Sequence, residues 1–91
     1  MAVVVKIPTQ LRAAADGASE TEVSGGTVGE VLDGLFERFG DLRERICEDG
    51  DLRRFVNVYV GGEDIRFLSG LDTEVTDGDE VTILPAVAGG R

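Results

Sequence analysis

"TVGEVLDGLFERFG", residues 27–40, is the stretch on which the fold turns. Thr27 followed three residues later by Glu30 is a capping box, in which each side chain satisfies an N–H that the first helical turn leaves free. After it, Val28, Val31, Leu32, Leu35, Phe36 and Phe39 recur at the i, i+3, i+4, i+7 spacing that draws one apolar stripe along a helix. Gly40 stands where a left-handed residue would close that helix. A single amphipathic helix cannot bury its stripe alone and needs a sheet to cover.

The flanks supply strands. "AVVVKI" (2–7) is β-branched and stops at Pro8, and "SETEVS" (19–24) alternates weakly before Gly25-Gly26, which predicts a second strand and a hairpin with the first. Beyond the helix, the charged run "DLRERICEDGDLRR" (41–54) reads as one short helical turn and a loop. "FVNVYV" (55–60) is the strongest strand and is closed by the turn Gly61-Gly62. "DIRFLSGLDTEV" (64–75) holds a short edge strand and an irregular crossing, and "TDGD" (76–79) turns into the last strand, "EVTILP" (80–85).

This order predicts an α+β domain: a mixed sheet of four to five strands with one main helix packed across one face. If the first and last strands pair in the middle, the result is the β-grasp, or ubiquitin-like, roll. A ferredoxin-like split fold would need a second long helix, which 41–54 does not provide. The expected division is a β-grasp domain at 1–85 and a flexible C-terminal tail at 86–91.

Composition narrows the function. With 91 residues, 42% hydrophobic and 30% charged, the chain has room for one modest core and one small site. A net charge of −9 argues against nucleic acid and anionic membranes as partners, and the absence of histidine removes the commonest general base and metal ligand. No acid–base pair stands out, so an enzyme is not expected, nor a bound cofactor. Cys47, the single cysteine, allows no internal disulfide and no thiolate cluster, and Glu48, Asp49 and Asp51 beside it should raise its pKa and keep it unreactive. The carboxylates Glu63, Asp64, Asp77, Asp79 and Glu80 match no calcium-loop spacing, so no metal is expected. "MAVVVKIP" lacks the features of a signal peptide and no run approaches the roughly 20 apolar residues of a membrane helix, so a cytoplasmic protein is expected.

The tail points to chemistry. Pro85 has no N–H and should release the last strand from the sheet. Ala86, Val87, Ala88, Gly89 and Gly90 then span roughly 15 to 18 Å when extended. Gly89 and Gly90 lack a Cβ, which suits a carboxylate meant to enter a narrow channel in another protein. By strand alternation Lys6, Asn57 and Thr82 face away from the helix while Val5, Val58, Val81 and Ile83 face it. The outward side also carries Val4, Phe55, Tyr59 and Leu84, a candidate docking patch beside the tail. Lys6 is the sole lysine, which favours a carrier over a tag that builds chains on itself, although a general Arg-for-Lys preference explains it equally.

Residues 55–90, "FVNVYVGGEDIRFLSGLDTEVTDGDEVTILPAVAGG", resemble the C-terminal half of the MoaD/ThiS family of ubiquitin-like sulfur carrier proteins, and "VTILPAVAGG" looks most like its CysO type. The first half matches more loosely, in element order. The resemblance implies a sulfur carrier. A ubiquitin-activating-type adenylyltransferase/sulfurtransferase would use ATP to adenylate the Gly90 carboxylate, sulfur would displace AMP, and a sulfur-accepting biosynthetic enzyme would consume the thiocarboxylate. Pro85 and residues 86–89 would be the inserted segment. Ala86, where molybdopterin synthase small subunits often carry a second proline, tilts the product toward cysteine; molybdopterin, thiosugars or another sulfur-containing metabolite stay open. Arg91 departs from the pattern, as a residue trimmed by a protease, one added by cloning, or a true terminus that would put the carrier role in doubt. Two other readings remain: a modifier joined through Gly90 to lysines of other proteins, and a non-covalent binding module that uses the sheet patch alone.

Overall fold

Every second residue of the first strand is buried, and that alternation sets the sheet. The computed structural model describes residues 2–48, 51–53 and 56–85. Strand β1 (Ala2–Lys6) turns Val3 and Val5 inward and pairs antiparallel with β2 (Glu20–Ser24), in register from Ala2↔Ser24 to Lys6↔Glu20. The connection is longer than a simple hairpin. A 3-10 helix, Thr9–Ala15, tucks Leu11 and Ala15 into the core and ends at Asp16 (φ 56°) and Gly17 (φ 84°).

Helix α1 (Val28–Arg38) starts as the sequence predicts. Thr27 Oγ1 accepts from the Glu30 N–H at 3.2 Å, while Glu30 Oε1 accepts from Gly26 N at 2.8 Å, one residue upstream of the usual box. Val28, Val31, Leu32, Leu35 and Phe36 are buried, and Phe39 packs partly against them. The helix does not end in a left-handed Gly40. Phe39 (φ −129°, ψ 82°) is the joint, and Gly40 opens a second helix, α2 (Gly40–Ile46). The burial of Leu42 and Ile46 drives this restart. A hairpin of β3 (Cys47–Glu48) and β4 (Asp51–Leu52) follows. The predicted turn and loop over 41–54 is therefore mostly regular structure.

Strand β5 (Val56–Val60) turns at Gly61 (φ 58°) and Gly62 (φ 90°) into the short edge strand β6 (Glu63–Asp64). Both positive angles are those a two-residue hairpin turn demands and that glycine adopts freely. Strand β7 (Glu80–Pro85) pairs antiparallel with β5 and parallel with β1, giving the order β2-β1-β7-β5-β6. The first and last strands do meet in the middle, and the fold is the β-grasp roll. Between β6 and β7, 3-10 turns at Ile65–Phe67 and Gly70–Asp72 carry the irregular crossing. Buried Thr73 ties it down: its hydroxyl accepts from Ser69 N at 3.0 Å, and its carbonyl accepts from Val28 N at 2.9 Å.

Candidate functional site: the sheet end that carries the tail

The register of β7 decides what happens where the tail begins. β1 stops with Lys6 opposite Thr82, and the next rung would require an N–H from residue 8, which is proline. Past Thr82 the register partners of β7 therefore lie on β5 alone: Val58, Asn57 and Val56 stand opposite Ile83, Leu84 and Pro85. Gly61 N donates to the Glu80 carbonyl at 3.2 Å, so the backbone groups of Thr82 and Leu84 turn to β5, and those of Ile83 and Pro85 to the β1 side. Pro85 thus lacks a donor that would have found no β1 acceptor. It does not interrupt the pairing, as the sequence reading expected; the ladder includes Pro85 opposite Val56.

The unpaired flank is a groove of about 330 Å³ lined by Lys6, Pro8, Arg12, Glu20, Thr82 and Leu84 among others. Arg12 Nε donates to the Ile7 carbonyl at 3.1 Å. Lys6 Nζ lies 2.7 Å from Glu20 and 3.8 Å from Glu80, and its pKa is raised, chiefly by the hydrogen bond to Glu20.

The outward face carries three of the four residues assigned to the docking patch. Leu84 is 45% exposed, while Val4 and Tyr59 are half-buried. Tyr59 stands opposite Thr82 and is therefore a diagonal neighbour of Leu84 across the ladder, about 7–8 Å away. Val4 is level with Glu80, four residues short of Leu84 and so about 13 Å from it along the strands. Lys6 and Thr82 lie between. The apolar surface beside the tail is thus the Tyr59–Leu84 pair, with Val4 apart. Phe55 and the tail residues Ala86, Val87, Ala88, Gly89 and Gly90 lie outside the described residues.

The crossing exposes two large apolar side chains that lie outside the docking patch expected from strand alternation. Phe67 is 87% exposed and Leu68 41%. Their neighbour Arg66 reaches back to the tail end of the sheet: Nη2 donates to the Val56 carbonyl at 2.8 Å and Nη1 donates to Asn57 Oδ1. The signal was present in "RFLSG", two large apolar residues in a segment with no period to bury them.

Cys47 sits in the helix layer, on a groove of about 350 Å³ lined by Leu32, Phe36, Arg43 and Leu71. Its pKa is raised, first by burial, then by Asp33 and Asp51, against a lowering by Arg43. Burial, more than the carboxylates, is what raises the pKa of this thiol. Among the described residues no three of His, Cys, Asp and Glu converge as a metal site, and no helix is long and apolar enough to cross a membrane.

The sequence pattern of the ThiS family matches residues 5–90. The chain belongs to the ThiS family. Within it, the chain is 48% identical to the sulfur carrier protein CysO of Mycobacterium tuberculosis over 93 residues, covering 99% of this chain and 100% of that one. A crystal structure of an Amycolatopsis orientalis BexX/CysO complex contains a chain 49% identical that superimposes with a TM-score of 0.91, over 97% of this chain and 99% of that one. The solution structure of small archaeal modifier protein 1 from Methanosarcina acetivorans is 40% identical, with a TM-score of 0.87, over 98% of this chain and 96% of that one. These family members are named as carriers and modifiers.

Proposed function

We propose that this protein is a sulfur carrier whose Gly90 carboxylate, exposed by removal of Arg91, is the chemical handle. The observation that carries the reading is the extent of the family match, which runs through Gly89 and Gly90 and stops before Arg91. The fold supports it: β7 ends beside an open groove on the sheet's free flank, where the remaining six residues begin.

The chemistry requires partners. A carboxylate is a poor electrophile until one oxygen becomes part of a good leaving group. An adenylyltransferase would let the Gly90 carboxylate oxygen attack the α-phosphorus of ATP, releasing pyrophosphate. Hydrosulfide attack on the acyl carbon would then expel AMP and leave a thiocarboxylate. A second enzyme would use that sulfur as a nucleophile, in cysteine biosynthesis by the sequence likeness to CysO. The carrier supplies no catalytic group of its own and operates in the cytoplasm, where its ATP-dependent partner works.

The test is the intact mass of the protein from its native cell. A species ending at Gly90, with a fraction heavier by the difference between sulfur and oxygen, supports the reading. A single species retaining Arg91 under all growth conditions would sink it. A second reading, conjugation through Gly90 to lysines of other proteins, is favoured by the likeness to an archaeal modifier protein. It predicts Gly-Gly remnants on target lysines in digests from cells that express the protein.

A further inference from the structure

We propose that Phe67, supported by Leu68, is the anchor by which the adenylate-forming partner grips this domain, entering an apolar pocket rimmed by basic side chains. The inference rests on the carrier reading for the identity of the partner, but its geometry stands separately. Phe67 is 87% exposed, and it is held outward on ordered backbone. Asp64 Oδ1 accepts from Arg66 N at 2.8 Å, Leu68 N donates to the Ile65 carbonyl at 2.9 Å, and Ser69 N donates to buried Thr73 at 3.0 Å. A large aromatic ring fixed in water on a rigid turn gains nothing for the fold, and aromatic anchors of this kind dominate the energetics of interfaces.

Two observations choose the occupant. The first is position. Arg66 spans from this turn to the Val56 carbonyl, and Val56 pairs with Pro85, so the ring stands on the same end of the sheet as the tail. Five residues, 86–90, lead from Pro85 to the Gly90 carboxylate, a reach of about 15–18 Å at full extension. A protein that holds Phe67 therefore has the terminal glycines within reach of its active site. The second is charge. Glu63, Asp72 and Glu74 are exposed carboxylates on the same 63–74 segment as the apolar pair, in a chain of net charge −9. Like charge disfavours a second copy of this chain and favours a basic rim, which also speeds encounter.

The experiment compares the full chain trimmed to Gly90 with its Phe67→Ala and Phe67→Leu variants. With the adenylyltransferase, ATP and sulfide, Phe67→Ala is expected to raise the KM for the carrier about tenfold or more, with kcat and melting temperature unchanged and with Phe67→Leu intermediate. The dissociation constant of the enzyme for a carrier lacking 89–91 should shift by the same factor, and both should weaken with added salt. Thiocarboxylate formation with KM and dissociation constant within twofold of wild type overturns the anchor and leaves the carrier reading intact. Binding that depends on Phe67 without any thiocarboxylate sinks the carrier reading and keeps the anchor. A wild type that neither binds nor reacts overturns both. Self-association that Phe67→Ala abolishes assigns the ring to a second copy and overturns the proposal.

Discussion

A Cβ placed on Gly34 would lie 2.7 Å from Val23 Cγ1, closer than carbon atoms approach. The glycine in the middle of α1 is what lets the helix lie down on β2. An alanine in an exposed helix would gain about 1 kcal/mol over glycine, but overpacking against a buried, χ1-stiff valine costs about 1–3 kcal/mol. Gly34→Ala should therefore lower the melting temperature, by about 4–8 °C for each net kcal/mol in a domain of this size. Adding Val23→Ala makes room, so the double variant should lose less than the two single losses combined. A Gly34→Ala protein as stable as wild type would show that the contact relaxes freely.

The N-cap of the same helix gives a second test. Thr27 holds the Glu30 N–H, and replacing it by alanine should cost about 1 kcal/mol. Thr27→Ser keeps the acceptor oxygen and should be nearly neutral. Equal losses for the two variants, read by denaturant melts, would mean that the methyl group of Thr27 matters more than its cap hydrogen bond.

Cys47 allows a test of pH dependence. Its pKa is raised by burial, so the thiolate is scarce where a free thiol, with a value of about 8.5, already ionises. Because the folded value lies above the unfolded one, the contribution to stability is fully present below the ordinary thiol range and is lost as pH rises through the folded value. Alkylation by iodoacetamide should be slower than for a free cysteine at pH 8, with its midpoint displaced upward. Cys47→Ser should flatten the alkaline decline in stability. A midpoint at or below the free-thiol value would mean that the Arg43 guanidinium outweighs burial.

The residues that could be read from sequence are those whose pattern is local. Thr27, Glu30 and the stripe from Val28 to Phe36 announce α1, and alternation in "AVVVK" and "VNVYV" assigns core and outer faces correctly. Leu42 and Ile46 hide among charges because a seven-residue helix offers too few turns for a period to emerge, and only burial against the core makes it one. Gly40 misled for the same reason: glycine at a helix end closes it or starts another depending on what the next turn can bury. The docking patch was read as one surface because alternation gives the face but not the register; pairing Val4 with Glu80 is what separates it from Leu84. Phe67 shows in the sequence only as half of an apolar pair in an aperiodic segment, because its exposure is a tertiary property.

Arg66 supplies the last prediction, because its side chain is what sets the turn of Phe67 against the tail end of the sheet. Two N–H groups of one guanidinium reach two different acceptors, the Val56 carbonyl at 2.8 Å and the Asn57 side chain. Lysine has a single flexible ammonium in place of that planar fork. Arg66→Lys should therefore behave much like Arg66→Ala: a loss of about 0.5–1.5 kcal/mol for each hydrogen bond broken, and faster amide exchange at Phe67 and Leu68. Asn57→Ala removes one of the two acceptors and should fall between. Full restoration by lysine would reduce the tether to simple charge. Unchanged exchange at Phe67 in Arg66→Ala would show that the Asp64 and Thr73 hydrogen bonds hold the turn without it.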